Sequence, residues 1–327
     1  MLQYILNRII SLAVILVGVS ILVFLLVKLT PGDPVTMMLG EDATPEQVEN
    51  LNRLYGFDQE LHVQYWRWLS RAVQGDLGMS IRQNIPVTQL IWERMPATFE
   101  LTIWSLIIAI GIGIPLGVLA AVRRNSWFDI GSMSLALVGV AAPNFWVGLI
   151  LLSQLALHIT WLPVGGRGPA FDGAMVALFT QFDGTALWDH FRHAILPALA
   201  LGTSILAIIM RLTRSSLLEV LNTDFVRTAR AKGTKGVTVV YKHALRNALL
   251  PVITVVGVQF GSLLGGAIVI EHVFSWPGIG RLIINGISQR DFPVVQGSVL
   301  MFSVIFAVVN LLVDLSYSLV DPRIRYA

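Results

Sequence analysis

The chain has 327 residues, of which 55% are hydrophobic and only 13% charged, with a formal net charge of +3. Soluble domains carry about 25% charged residues, and here the charges are missing from whole windows, which excludes an ordinary soluble enzyme. There is no cysteine, so a disulfide framework, a thiol nucleophile and a cysteine metal site are excluded as well.

About 20 apolar residues cross the hydrocarbon core of a bilayer. The first uncharged window, Ile9–Val27, leads into "KLTPGDP". It is too long for a signal-peptide apolar region and has no small-x-small cleavage site, so it predicts an uncleaved first span. A segment from about Thr30 to Thr98 follows. Within it, "TPEQVENLNRLYGF" (Thr44–Phe57) predicts a short helix, with a Thr44 cap, Glu46 and Gln47 in the first turn, apolar spacing at Val48, Leu51 and Leu54, and Gly56 as the stop. The segment "VQYWRWLSRAVQ" (Val63–Gln74) gathers apolar and aromatic residues on one face, as a helix lying along the membrane interface would.

The second and third uncharged windows are Leu101–Val122 and Ile130–Leu157. Between the third and fourth spans, "PVGGRGP" reads as a turn. In "DHFRH" (Asp189–His193), His190 and His193 lie three apart beside a carboxylate, spacing that would suit a metal. No further ligand is visible, and a solvated loop at the entry to the fourth span is expected there. The remaining windows are Ala194–Met210, Asn247–Ile270 and Phe292–Val313. The predicted fold is therefore an all-α polytopic membrane protein with six transmembrane helices.

The connectors "RRNSWFD" (Arg123–Asp129), Arg211–Arg246 and the tail "DPRIRYA" are rich in Lys and Arg, which marks the cytoplasmic side. Both termini are expected there too. Pro115, Pro143, Pro197 and Pro251 lie in or at the edges of spans, where proline kinks a helix. Gly111, Gly113, Gly257, Gly261, Gly265 and Gly266 predict close helix packing, with Gly257, Gly261 and Gly265 along one face.

No ionisable residue lies near the centre of any span; Asp314, Glu271 and His272 sit toward the edges. This counts against a transporter driven by protons or sodium. Asn144, Gln154, Gln259 and Asn310 are polar and neutral, and they either line a translocation path or hydrogen-bond between helices. There is no G-x-x-x-x-G-K-[ST] motif. Ser215 and Ser216 have no His or acid at hydrolase spacing, so no enzymatic site is supported. The basic residues are not interleaved with aromatics, so no nucleic-acid partner is expected.

One basic segment stands out. "FVRTARAKGTKG" (Phe225–Gly236) carries Arg227, Arg230, Lys232 and Lys235 and no acid. Asp224 is a reasonable cap for a helix through Lys232, with Gly233 as its stop. Phe225, Ala229 and Gly233 fall one turn apart on one face, which would let another surface approach closely. A following helix is expected from about Thr238 through "YKHALRNALLP" into the fifth span. Two readings stay open: a connector lying on anionic lipid, or a docking helix for a soluble partner.

"DFVRTARAKG" and "HALRNALLP" resemble the cytoplasmic loop of ATP-binding-cassette importer permeases of the dipeptide, oligopeptide, glutathione and nickel branch. The general permease signature is Glu-Ala-Ala, three residues, then Gly. Aligned on Gly233, this chain has Arg227-Thr228-Ala229 in its place, and the usual Ile-x-Leu-Pro falls on His243–Arg246 with the proline displaced to Pro251. The resemblance runs along the whole chain, through "MLQYILNRI", "PGDP" (Pro31–Pro34), "GDLGMS" (Gly75–Ser80), "TRSSLLEVL" (Thr213–Leu221), "FSWPGIGR" (Phe274–Arg281), "RDFPVVQG" (Arg290–Gly297) and "NLLVDLSYSLVDPRIR" (Asn310–Arg325). All of these look like the first of two permease subunits.

The resemblance implies the type I importer permease fold, with a first helix and external segment over residues 1–96 and a permease domain over 97–320. It also implies a coupling loop at about 214–247 and a cytoplasmic tail at 321–327. Its coupling residues would be Asp224, Phe225, Arg227, Thr228, Ala229, Arg230, Ala231, Lys232 and Gly233. It implies a location in the bacterial inner membrane. The implied partners are a second homologous permease, two cytoplasmic ATPases that hold ATP and magnesium, and an external substrate-binding protein. The chain itself would carry no cofactor and no metal. Dipeptides are the first expected cargo, then glutathione or longer peptides, and nickel last. A channel or membrane scaffold without ATP coupling is the alternative from a different class.

Overall fold

The computed structural model describes residues 2–29, 44, 46, 47, 49, 53 and 58–320. Outside them lie "PGDP", most of the helix predicted within Thr44–Phe57, and the tail from Asp321; the side chain of Asp314 is not described either. The start of that predicted helix is described: the Thr44 N–H donates to Gln47 Oε1 (3.0 Å) and the Gln47 N–H to Thr44 Oγ1 (3.4 Å). This is the reciprocal capping box that the sequence predicts.

The described regular structure is helical, with one isolated antiparallel bridge between Met79 and Pro86. In chain order the helices are α1 (Leu2–Leu29), α2 (Leu61–Val73), α3 (Val87–Val122), α4 (Trp127–Ala141), α5 (Asn144–Leu151), α6 (Phe171–Gln181) and α7 (Thr185–Leu221). After these come α8 (Asp224–Ala231), α9 (Gly236–Val273), α10 (Ile279–Ser288) and α11 (Phe292–Val320). Five are long and apolar enough to cross a membrane: α1, α3, α7, α9 and α11.

The predicted third span, Ile130–Leu157, is not one straight helix. It breaks between α4 and α5, which continues as a π-turn over Leu152–Ala156, and the two parts meet at 110°. The cause is Pro143. Its ring disfavours helical geometry in the residue before it, and Ala142 is extended at φ −75°, ψ 131°. The pair makes up to six spans if counted as one.

The fourth span is longer than its uncharged window. Thirty-seven residues of α7 rise about 55 Å at 1.5 Å per residue, against a bilayer core of about 30 Å. Asp189–His193 therefore lies inside a helix rather than in a solvated loop, and His190 is fully buried. Its Nε2 accepts from the Trp104 indole N–H (3.0 Å), and its Nδ1 is 2.9 Å from the Pro169 carbonyl. That pairing fixes the neutral tautomer with the proton on Nδ1.

The chain forms two compact units. The larger comprises Ala97–Gly278 with Val313–Val320. Its core gathers Leu101 and Ala109 of α3, Leu201, Ile205 and Ile209 of α7, and Leu263, Ala267 and Ile270 of α9, closed by Phe274 and Trp276. Close approach of α3 to α7 depends on glycine: a Cβ at Gly117 would lie 2.6 Å from the Met210 carbonyl, and one at Gly202 would lie 2.8 Å from the Ser105 carbonyl. Small residues at contacts are how helices associate without a hydrophobic drive from lipid. Among the glycines noted in the sequence, Gly113 and Gly266 meet neighbours, whereas Gly111 and Gly265 face open space. On the small face through Gly257, Gly261 and Gly265, Gly261 is buried within this chain, whereas Gly265 faces open space.

The smaller unit comprises Met1–Pro96, Ile279–Leu312 and Asp321–Ala327. Helix α2 is held on α1 by aromatic contacts of Phe24 with Tyr65 and Trp68, and by a 2.8 Å bond between Ser20 Oγ and the Tyr65 hydroxyl. Two of the noted motifs meet here. Asp291 of "RDFPVVQG", buried ahead of α11, accepts from Ser80 Oγ (2.5 Å) and from the Ile81 N–H (3.2 Å) at the end of "GDLGMS". A Cβ on Gly297 would lie 2.7 Å from Val87 and 3.0 Å from Leu77, so the loop is seated directly on the α11 backbone.

Candidate functional site

Helix α8 is the candidate site. It is an eight-residue helix joined to α7 by the short turn at Asn222–Thr223. Thr223, extended at φ −77°, ψ 157°, is the boundary residue. Its hydroxyl donates back to the Val220 carbonyl (2.6 Å) rather than capping α8. Asp224 is therefore the first helical residue rather than the cap, where its charge complements the helix dipole. Its exposed pairing with Arg227 (3.2 Å) contributes little.

The helix ends where the sequence predicts. Gly233 has φ +75°, and the Thr234 N–H reaches back to the Ala229 carbonyl (3.2 Å) while the Gly233 N–H bonds the Arg230 carbonyl (2.9 Å). This is a left-handed helix stop that glycine accepts without strain. A Cβ at Gly233 would meet nothing within 4 Å, so only the backbone conformation selects glycine within this chain.

The inner side of α8 rests on Val226, which is fully buried. It sits in a cluster with Val118 and Ala121 of α3, Leu217 of α7, and Val239, Ala244 and Ala248 of α9. Ala229, one turn on, is half-buried against the same cluster. The face expected to approach a partner, Phe225–Ala229–Gly233, is thus divided, because Ala229 is turned toward the protein's own core. The outward side presents Phe225, Arg227, Thr228, Arg230, Ala231 and Lys232, all exposed. The helix thus combines a cationic, aromatic outer face with an apolar inner anchor.

Beside this cluster, Arg214 of α7 makes a two-pronged ion pair with the buried Asp129 of α4, Nε to Oδ1 at 2.5 Å and Nη2 to Oδ2 at 2.7 Å. Asp129 also accepts from the Asn125 N–H (2.9 Å), and its own N–H bonds the Ser126 hydroxyl (3.2 Å) at the start of α4. Sequence reading placed Asp129 in an exposed connector and did not single out this pair. The only signal was its position, one residue before an uncharged window.

The candidate path residues have different local settings. Asn144 donates to the Leu201 carbonyl (3.3 Å), a helix-to-helix bond between α5 and α7. Gln154 is exposed on the π-turn, the Gln259 carbonyl accepts from the Ser262 hydroxyl (2.8 Å), and Asn310 is half-buried on α11. The turn "PVGGRGP" packs on "FSWPGIGR": the Gly166 N–H bonds the Phe274 carbonyl (2.8 Å). Arg167 grips Glu100 of α3 with two nitrogens, Nε at 2.7 Å from Oε2 and Nη2 on Oε1. Among the described residues, no group of three or more His, Asp or Glu is arranged to hold a metal ion.

Comparison with known proteins agrees with this architecture. The binding-protein-dependent transport system inner membrane component family matches residues 113–326, and its N-terminal companion family matches residues 1–102. The chain is 46% identical over 335 residues to the dipeptide transport system permease protein DppB of Alkalihalophilus pseudofirmus, with all of both chains covered. It is 45% identical to DppB of Escherichia coli, covering all of this chain and 99% of that one. It is 42% identical to the glutathione transport system permease protein GsiC of Escherichia coli, again over the full length of both. The chain belongs to the binding-protein-dependent transport system inner membrane component family, and is a multi-pass permease subunit of an ATP-binding-cassette importer rather than an enzyme.

Proposed function

We propose that this permease carries small peptides, dipeptides first, inward across the membrane, using ATP hydrolysed by separate partner subunits. In this reading it pairs with a second, similar permease, receives cargo from an external binding protein, and seats α8 in a groove of one of two cytoplasmic ATPases. ATP and magnesium belong to those ATPases. The chain crosses the membrane six times, with α4 and α5 together forming one broken span and both termini in the cytoplasm. The Lys and Arg excess around α8 supports that orientation.

The observation that carries the reading is the seat of Val226. One buried side chain joins a cluster drawn from the ends of three membrane helices, α3, α7 and α9. Closure of the ATPases would displace α8, and the shared cluster would pass that displacement to all three, a rigid-body transition of the hinge type. The neutral character of Asn144, Gln154, Gln259 and Asn310 suits a path that releases cargo rather than holding it. The names of the dipeptide and glutathione relatives favour peptides over nickel.

Two measurements test this. In proteoliposomes holding the complete complex, labelled dipeptide uptake should require ATP and persist without a proton gradient; gradient-driven uptake by this chain alone would contradict it. For orientation, the cysteine-free background allows single cysteines at Asn52 and Gly233. An impermeant maleimide should label position 52 but not 233 in intact cells, and the opposite pattern would invert the topology.

A further inference from the structure

Within the smaller unit, a cavity of about 330 Å³ lies between the end of α1, one side of α2, the loop after α2 and the start of α11. Its walls include Phe24, Trp68, Leu77 and Phe292, and its rim includes Lys28, Arg67 and Arg71. We propose that this cavity binds one anionic phospholipid, with the phosphate on the Arg67–Arg71 rim and part of an acyl chain along the apolar walls.

Four observations support this occupant. Arg67 and Arg71 are four residues apart on α2, so their guanidinium groups share one face. Both residues are exposed, and neither guanidinium makes a hydrogen bond or ion pair among the described residues. Among the described residues of the rim, Arg67 and Arg71 face one carboxylate, Asp76, which already accepts from the Gly78 N–H (2.9 Å). The level is also right. Lys28 ends the first candidate span and Phe24 lies one turn inside it, so in a bilayer Lys28 would stand near the lipid phosphates and Phe24 below them. A soluble anion would use the rim and leave the walls wet. A zwitterionic lipid would bring its own cation toward Arg67 and Arg71.

The test places a bimane fluorophore on Met79→Cys, at the cavity lining, in the complete complex in phosphatidylcholine nanodiscs. Nitroxide-labelled phosphatidylglycerol should quench it at several-fold lower mole fraction than nitroxide-labelled phosphatidylcholine. R67Q/R71Q should abolish that preference, and R67K/R71K should keep it. Because both arginines are exposed and unpartnered among the described residues, these variants should elute from size exclusion as the parent does. Equal quenching by the two lipids, or a preference that survives R67Q/R71Q, overturns the proposal. So does loss of the preference on adding millimolar inorganic phosphate or dipeptide, which would make a soluble anion the occupant.

Discussion

Val226→Asp should reduce substrate-stimulated ATP hydrolysis to the unstimulated level while the chain still inserts and assembles. The side chain is fully buried in a cluster with six other buried residues drawn from α3, α7 and α9. A carboxylate cannot stay there without a partner, since desolvating it costs several kcal/mol, so α8 leaves its seat. Val226→Ala removes two methyl groups, about 1.5 kcal/mol of burial, and should leave partial stimulation. The outer face gives the complementary test. Phe225→Ala should weaken stimulation without lowering thermal stability, because the ring is 46% exposed and is absent from the cluster around Val226. Lys235→Ala, beyond the helix, should be mild. If Val226→Asp kept full stimulation, α8 would not be the transmitting element. If Lys235→Ala proved as harmful as Phe225→Ala, the segment would act by charge on lipid.

The structure also changes what two other substitutions mean. Gly233→Val meets no neighbour, so its cost comes from the left-handed backbone alone, roughly 1–2 kcal/mol. Ala229→Trp strikes the chain's own core, so its effect reports on the internal seat rather than on a partner's groove. Periodicity alone could not separate these cases. Residues 225, 229 and 233 share a stripe on any helix, but which side of that stripe turns inward depends on Val118, Leu217 and Val239, which are distant in sequence.

That distinction recurs along the chain. Five spans were legible because an uncharged window is a local property, and so were the Thr44–Gln47 capping box and the Gly233 stop. The long-range pairs were not. Ser80 meets Asp291 across 211 residues, Arg167 meets Glu100 across 67, and Arg214 meets Asp129 across 85. Nothing in the local spacing of either member names the other. His190 misled for a related reason: beside Asp189 and His193 it looks solvated, yet Trp104 and Pro169 satisfy both ring nitrogens. Pro143 signalled a kink but not a bend of 110°, because the size of a break depends on what the two arms pack against.

The Asp129–Arg214 pair should prove the costliest polar contact to break in the larger unit. Asp129 holds two guanidinium nitrogens and the Asn125 N–H at once, so it fixes both the turn before α4 and the position of α4 on α7. Removing either partner leaves the other charge stranded, with Asp129 only 2% exposed; breaking such a pair costs about 3–5 kcal/mol. Asp129→Leu and Arg214→Met should each lower the melting temperature of the detergent-solubilised complex by several degrees. Arg214→Lys should fall between them and the parent, because an ammonium cannot reproduce the two-pronged geometry. The double variant D129L/R214M should be less damaged than either single one, since no unpaired charge then remains. Arg214 lies on α7 only three residues before Leu217, which shares the cluster of Val226, so the single variants should also blunt ATPase stimulation by loosening the seat of α8. Strict additivity of the two single losses in the double variant would show that the residues act independently, and would remove this pair as the element that holds α4 to α7.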